Sequence, residues 1–591
     1  MQNVSSAFQE AIQAPQRQTA VKIAFGIYDL TAKGDAQSSA NENQSFSSPQ
    51  QVLDDIKTLS KKYATLEPGR WLLNGTFFCF PDEPEEEAMG YWSNSMSDAT
   101  GFFSVAPTVT ITFGSNHSSL GLTFYFDTLT GDCCKDFTVL WRDAAGATLA
   151  QKAVTGNTEA WCWLAEAVEN YRSIVLTFQS TNRPFRYVHF AEIDFGLQET
   201  YTSDQLIEAQ MIQEMDILTN RLTAGRLSFS LDNSDHRFNI LDPQGAQRFL
   251  QRQQKFSVQA GVETTQGWQW VPWGEYYLKE WENPGGPVTK FDAYDSLELL
   301  AQVNYAVSPF YNEAPASQVF LDILNYGGVA YQIDPSFQTV YLTGYIPVKD
   351  CRQALHNAAL AAGALVRVNA AGEVCLLPST PGSRVGELGK DLVLGQAQVK
   401  QLALTNQVEV TCYQYTVSEN ITQLYQGNIP IYGTQKVWLD YQVVPATNVS
   451  ATLSAGTLVA SDFRANGAYL TINANGIVRI TLNGKVYSES TYLVRAEESN
   501  IPSGELPQTA VVRDNRLIAT AERAQSVAQR LLTGSLRRYQ QTFRWWANPA
   551  IEVGDVVLAA SQYDGTLELQ LTKSVYQFNG GLAVKSEGIG L

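Results

Sequence analysis

Strict alternation of apolar and polar residues marks one stretch of this chain as β-structure. Leu227, Phe229 and Leu231 alternate with two serines and an aspartate, the period of two expected when one strand face is buried and the other meets water. A turn follows at 233–235, and similar runs continue from 256 to 294. The pattern predicts a small antiparallel barrel or sandwich.

The N-terminal part opens with a strand pattern and then becomes polar. Residues 18–31 alternate like a strand, whereas residues 32–50 are rich in Ser, Asn and Gln and are typical of a linker. A capping box at 48–51 has Pro at the first helical position, and an apolar stripe follows it. These signals predict a helix over 49–63.

Helix signals recur in the second half of the chain. Apolar periodicity, with glycines 363 and 534 at two of the helix ends, predicts helices near 318–328, over 350–362 and over 521–533. A hairpin is predicted around Ala371-Gly372. Residues 203–215 place apolar side chains at helix-like spacing, and there we leave helix and strand open.

Two further segments are rich in predicted strands. Between about 66 and 200, many short apolar runs are separated by turns, which is typical of a β-sandwich. Residues 400–510 also contain strands with glycine turns, and a small β insert is predicted at about 440–500. The fold class expected is therefore mainly β with α+β parts.

Length and charge narrow the functional classes. A chain of 591 residues exceeds the roughly 250–300 at which a single core stops growing, so we expect three to five domains. The net charge of −18 argues against binding DNA or an anionic membrane through bulk electrostatics. A repulsive acidic wall would suit a channel along which DNA slides.

Phrases in the central segment carry a resemblance to a known family. In order they are QEMD, LSFSLDN, QKFSVQAG, WGEYYLKEW and FDAYD, and a later NPAIEVGDVV follows a helix and an aromatic strand. This order resembles the tail-tip hub, or tail-associated, proteins of tailed bacteriophages. The resemblance implies hub-type β-barrel domains in a structural virion protein.

A second resemblance covers the predicted sandwich. The phrases GLTFYFD, FTVLWRDAAG and YRSIVLTFQSTNRPFRYVHFAEIDFG resemble jelly-roll carbohydrate-binding modules inserted in phage tail proteins. Together the two resemblances imply this division: 1–34 first part of the hub barrel, 35–65 linker and helix, 66–202 inserted sandwich, 203–300 barrel continued, 301–399 α/β domain, 400–510 β-rich domain, and 511–591 a C-terminal helix and barrel.

Aromatic and polar residues of the sandwich predict a glycan site. Sugars stack their C–H faces on aromatic rings and need carboxylate, amide or guanidinium partners for their hydroxyls. The candidates are Tyr91, Trp92 and Asn94 in one turn-rich segment, Trp161 and Trp163 on one strand face, and Arg183 and Arg186 in the loop before the last strand. For each aromatic candidate, a place in the core is the competing interpretation.

Catalysis and cofactor binding have little support in the sequence. The four histidines and seven cysteines show no catalytic or metal-ligand spacing, so we expect no enzyme activity, no metal, no cofactor, and reduced, mostly buried thiols. No secretory signal or spanning segment is predicted from this sequence.

The function expected from these observations is a hub that closes the tail tube and presents a glycan-binding module to the host surface. The resemblance implies a homotrimer at the virion tail tip, assembled in the host cytoplasm, with distal tail, tube or tape-measure proteins as partners and no sequence-specific nucleic acid. One alternative is a ring-forming distal tail adaptor, expected as a hexamer. A less favoured alternative is a secreted glycan-active enzyme with a binding module.

Overall fold

The computed structural model describes residues 1–591 except 30, 73, 219–220, 237, 242–249, 503–504, 507 and 563–564, and except the side chains of 85, 198 and 199. Strands form most of the regular structure, and helices are few and short. Within the described part, no helix is long and apolar enough to cross a membrane. The mainly β class predicted from the sequence is confirmed.

The elements follow in chain order. The helices are α1 (Ser6–Gln13), α2 (Ala32–Asp35), α3 (Ser296–Leu300), α4 (Ala316–Gly327), α5 (Cys351–Ala362) and α6 (Ala521–Ser535). Strands up to the middle of the chain are β1 (Thr19–Tyr28), β2 (Ala36–Ala40), β3 (Tyr91–Trp92), β4 (Thr108–Ser119), β5 (Leu122–Phe126), β6 (Cys134–Arg142), β7 (Thr148–Val154), β8 (Trp161–Leu164), β9 (Val168–Thr181), β10 (His189–Asp194), β11 (Gly196–Tyr201), β12 (Leu206–Glu214), β13 (Arg226–Asp232), β14 (Lys255–Thr264), β15 (Gly267–Glu282) and β16 (Val288–Tyr294). The remaining strands are β17 (Asn304–Tyr305), β18 (Tyr311–Pro315), β19 (Tyr331–Ile333), β20 (Tyr341–Gly344), β21 (Lys349–Asp350), β22 (Ala364–Val368), β23 (Val374–Pro378), β24 (Arg384–Leu388), β25 (Val393–Gln401), β26 (Thr405–Asp440), β27 (Ala446–Leu453), β28 (Thr457–Phe463), β29 (Gly467–Glu497), β30 (Gln508–Val512), β31 (Tyr539–Trp546), β32 (Val556–Ala560), β33 (Thr566–Phe578) and β34 (Leu582–Gly590).

One 13-stranded sheet joins distant parts of the chain. Its path is β11-β1-β14-β15-β16-β13-β12-β33-β34-β31-β25, with β32 paired to β33 and β24 paired to β32. The first seven strands form one half, and the strands after residue 383 form the other. The two halves meet where β12 pairs antiparallel with β33. Within 203–215, residues 206–214 form the strand β12, because this segment hydrogen-bonds to a strand on each side.

Alternating aromatic side chains fill the interior of this sheet. Phe25, Phe229, Phe256 and Phe291 are all buried, and the rings of Phe229 and Phe291 stack at 5.0 Å between centroids. Such ring pairs add about 0.5–1.5 kcal/mol beyond the area they bury. The alternation seen in the sequence therefore correctly identified the inward face of β1, β13, β14 and β16.

The helix predicted over 350–362 is present as α5. In α5 the Asp350 side chain accepts from the Gln353 N–H, and Gly363 ends the helix with φ of 80°, which glycine adopts without steric cost. The predicted hairpin is the antiparallel pair β22–β23. Helices α4, α5 and α6 share one core with the start of β26, so the region near 521–533 packs with this part of the molecule.

The predicted helix over 49–63 is wrong. Only a 3-10 turn, Pro49–Leu53, forms there, and Asp55 and Lys57 have positive φ angles of 57° and 40°. The apolar stripe is divided, because Val52 and Leu53 enter one core while Leu59 and Tyr63 enter another. A straight helix could not reach both cores.

The polar linker is also partly structured. Residues 36–40 form β2, which pairs with β4 at the edge of the inserted sandwich. Tyr28 of β1 lies directly opposite Gly196 of β11. The inserted unit of this structure therefore spans 29–195 rather than 66–202.

A small β unit follows the α/β part. Strands β26 to β29 surround a core of their own, whose members run from Leu424 to Val486. The insert was expected at about 440–500. In the structure its core runs from Leu424 to Val486, so the unit begins and ends earlier than expected.

The two ends of the insertion lie side by side, because Tyr28 pairs with Gly196, so a short turn can replace residues 29–195. We expect that replacing residues 29–195 by Asn-Gly, a two-residue hairpin turn, leaves the other domains folded, because β1 keeps its partner β14 on the other side. Circular dichroism and thermal melting of the shortened chain would check this. A chain that fails to fold cooperatively would show that the barrel depends on the insertion.

Candidate functional site

The insertion is a sandwich with an additional cover. Its five-stranded sheet, β2-β4-β9-β6-β7, packs on its four-stranded sheet, β3-β10-β5-β8, over a shared apolar core. The outer face of the four-stranded sheet carries a second apolar cluster, to which residues of the 56–89 segment contribute. The β8 edge of that face carries the exposed Trp163.

Two tryptophans lie on this open edge. Trp161 stands opposite Tyr125 of β5, and Trp163 stands opposite Thr123. The two indole centroids are 5.0 Å apart, and 52% of Trp163 is exposed. Trp161 packs against the apolar cluster that contains Tyr125, whose hydroxyl donates to Asp194. The pair therefore offers a fixed aromatic surface with polar groups beside it, as carbohydrate stacking requires.

Tyr91 and Trp92 do not offer their rings to a ligand. Both are fully buried, and Trp92 stacks on the His189 ring at 3.9 Å between centroids. The Tyr91 hydroxyl donates to the Glu42 carbonyl at 3.1 Å. Tyr91 belongs to the core between the two sheets and Trp92 to the cluster under the cover, so neither ring can contact a glycan. Asn94, next in the chain after Ser93, is exposed.

The two predicted arginines differ in exposure. Both donate to Oδ1 of Asp132, Arg183 from Nη1 at 3.1 Å and Arg186 from Nε at 3.3 Å. Arg186 is buried, and its Nη1 also donates to the Pro68 carbonyl at 3.1 Å. Arg186 therefore ties loops together, whereas the Arg183 side chain remains half exposed at the same loop end.

A buried ionic cluster lies behind these loops. Arg70 donates to Glu67 at 2.8 Å and to Asp127 at 2.9 Å, and its guanidinium lies over the Trp92 ring at 5.0 Å. His189 Nε2 is 3.0 Å from a second Glu67 oxygen. Sequence reasoning missed this cluster, because its members are scattered from 67 to 189 without a local motif.

The cluster shifts the pKa values of its members. Burial alone would raise the pKa of Glu67, but the nearby charges of His189 and Arg70 lower it to about 2. Burial and Arg70 would lower the pKa of His189, yet Glu67 and Asp127 raise it overall. Glu67 thus stays ionised because the positive charges of Arg70 and His189 lie beside it. The cluster stabilises the fold of the insertion.

Three members of this cluster have side chains that can bind a metal ion. Ligand atoms of Asp127, Asp132 and His189 lie within 4.8 Å of one another. The Arg70 guanidinium, however, already hydrogen-bonds to Asp127 and lies 3.4 Å from Asp132, so it supplies the positive charge that an ion would bring. We therefore interpret these three residues as partners of Arg70 and not as ligands of a metal ion.

No protein-family model and no curated protein matches the chain. Among solved structures, the 43 kDa tail protein of prophage MuSo2 from Shewanella oneidensis is 9% identical, covers 66% of this chain and 95% of its own, and gives a TM-score of 0.37. A tail protein from Neisseria meningitidis MC58 is 8% identical, with coverages of 66% and 93% and a TM-score of 0.38. The lectin domain of lectinolysin, solved with Lewis B antigen, is 10% identical, with coverages of 28% and 94% and a TM-score of 0.19. These scores lie below 0.5, and the likenesses carry no argument about function.

Removing Arg70 should destabilise the insertion. We expect Arg70→Ala to lower its free energy of unfolding by about 3–5 kcal/mol at pH 7, because buried carboxylates lose their cation. Arg183→Ala, at the half-exposed arginine, is the control and should cost less than about 1 kcal/mol. Chemical unfolding of the full chain measures both.

The pH dependence distinguishes this account from simple loss of packing. The lowered pKa of Glu67 stabilises the native protein above its unfolded pKa, and this contribution is lost as pH falls toward about 2. In Arg70→Ala the unpaired carboxylates protonate more easily, so the difference from wild type should shrink between pH 7 and pH 4. A constant difference would contradict the ionic explanation.

Proposed function

We propose that this chain is a structural tail-tip hub protein of a tailed phage or prophage. The observation that carries the proposal is the position, in the structure, of the sequence phrases that resemble hub proteins. LSFSLDN, QKFSVQAG, WGEYYLKEW and FDAYD lie on β13, β14, β15 and β16, and NPAIEVGDVV leads into β32 of the same 13-stranded sheet. The segments 227–295 and 548–557 thus build one structure, as the hub resemblance implies.

A closed ring of three copies is the assembly that we propose. Each chain supplies two sheet halves joined at the β12–β33 pair, so three chains would place six halves around an axis. The ring would contact distal tail, tube or tape-measure proteins and would close the tube. The net charge of −18 is consistent with a channel that does not retain DNA.

The insertion is proposed to bind a host-surface glycan. Support comes from Trp161 and Trp163 on the open β8 edge, with Asn94 and Arg183 as further contacts at the loop end. Three insertions on one ring would bind together, and such multivalency raises avidity by about 10²–10⁴-fold over one weak site. The role is adhesive rather than enzymatic.

Glycan binding is tested with the full chain on an array of bacterial surface oligosaccharides. Loss of the exposed ring in Trp163→Ala should cost about 0.5–1.5 kcal/mol per site, or roughly two- to tenfold in Kd. Trp268→Ala removes an exposed tryptophan of the barrel and is the matched control. Equal binding by both variants and wild type would refute the role of the β8 edge.

A further inference from the structure

A cavity of about 480 Å³ lies where the insertion meets the first half of the large sheet. Its floor is the outer face of β1 and β14, where Ala24, Gly26 and Ser257 have small side chains or none. Ala24 and Ser257 are cross-strand partners, so the short side chains stand side by side. The volume falls within the roughly 300–1,000 Å³ of small-molecule sites.

The insertion supplies one wall of this junction cleft. Tyr125 donates from its hydroxyl to Asp194 at 3.2 Å, and Asp194 also pairs with Lys33 at 2.9 Å and with Lys57 at 3.1 Å. Lys57 lies 5.6 Å from the centroid of the Tyr125 ring. This wall combines an aromatic ring with fixed donors and acceptors.

The barrel supplies the opposite wall. Tyr277 of β15 stands directly across from Lys255 of β14, and Lys255 pairs with Glu275 at 2.6 Å. Lys57 of the insertion lies 5.7 Å from the centroid of the Tyr28 ring of β1, so the two walls come close to each other there. Lys57 and Lys255, with side chains 41% and 44% exposed, stand where a ligand would enter.

The charges of the cleft favour an uncharged ligand. Lys33, Lys57 and Lys255 are each paired with a carboxylate, so no cation is left over for a phosphate. Asp55, Glu192 and Asp194 place oxygens within 4.8 Å of one another, but the Lys33 ammonium bonds to all three carboxylates and takes the place of a metal ion. Paired lysines and carboxylates beside tyrosine rings match the hydroxyls and C–H faces of a neutral sugar.

The backbone of the insertion wall is strained at this place. Lys57 has a φ of 40°, which side chains other than glycine adopt at an energetic cost, and its N–H donates to Glu192 at 2.7 Å. The surrounding ion pairs hold the loop so that Lys57 faces the cavity. Strain maintained in this way is common where a site is preorganised.

The cleft also adjoins the tryptophan pair. Tyr125 lines the cavity and is the cross-strand partner of Trp161, whose ring lies 5.0 Å from that of the exposed Trp163. We propose that the junction cleft binds a neutral oligosaccharide, with Trp161 and Trp163 extending the site along the β8 edge. This inference rests on the proposed function and adds that one ligand contacts both the insertion and the hub barrel.

The test measures the Kd of the full chain for the neutral oligosaccharides of the array and for a glycerol-phosphate polymer. Tyr277→Ala removes a ring from the barrel wall, and Ser257→Phe fills the floor. Each should weaken binding of neutral oligosaccharides by about tenfold. The matched controls lie outside the cavity lining: Tyr294→Ala on the neighbouring strand and Gln259→Phe further along β14. Melting curves confirm that each variant is folded.

The outcomes separate this inference from the proposed function. Cleft variants that bind like wild type while Trp163→Ala binds weakly would overturn the cleft and leave the β8 edge. Preference for the phosphate polymer would overturn the neutral ligand class. No binding of wild type to any oligosaccharide would overturn both proposals. The cleft is supported if Tyr277→Ala and Ser257→Phe bind neutral oligosaccharides more weakly while the two control variants bind like wild type.

Discussion

The register between β1 and its two neighbours is the constraint on which the rest of the structure depends. Because Tyr28 lies opposite Gly196, the chain leaves the large sheet and returns to it at one point. The other edge of β1 pairs with β14, which sets Ala24 beside Ser257 on the outer face. A shift by one residue would turn Phe25 outward and the small residues inward, and both core and cleft would be lost.

Buried charge is the second theme of the insertion. Two clusters, one around Arg70 and one around Lys33, place several carboxylates out of water. Burying such groups is costly unless each is paired, and removal of one partner leaves an uncompensated charge. Both clusters join segments of the insertion that are distant in sequence, so they hold the cover and the insertion's wall of the cleft in place.

Local patterns in the sequence predicted much of the fold. Alternation located β1 and β13 to β16, and capping residues located α5, because both signals depend on neighbours along the chain. The helix over 49–63 failed because two separate cores, on opposite faces of one sheet, share its apolar stripe. The strand at 206–214 was undecidable from its pattern, since pairing on both sides determined its conformation.

The candidate site was less predictable than the fold. Composition pointed to the tryptophans of the insertion, and Trp161 and Trp163 are at an accessible edge. Tyr91, Trp92 and Arg186 are of residue types that bind sugars, but all three are buried. The two aromatic rings pack in apolar clusters, and Arg186 donates to Asp132 and to the Pro68 carbonyl. The junction cleft draws residues from four separate parts of the chain, namely 24–57, 125, 194–195 and 253–277, and no spacing in the sequence marks it.

The mass of the assembled protein tests the hub account most directly. Light scattering or mass photometry of the full 65.3 kDa chain, at concentrations where it assembles, counts the copies in the ring. The account predicts three copies, each contributing two sheet halves. Six copies would instead support a distal tail adaptor, and a chain that stays monomeric at all concentrations would contradict a ring-forming role.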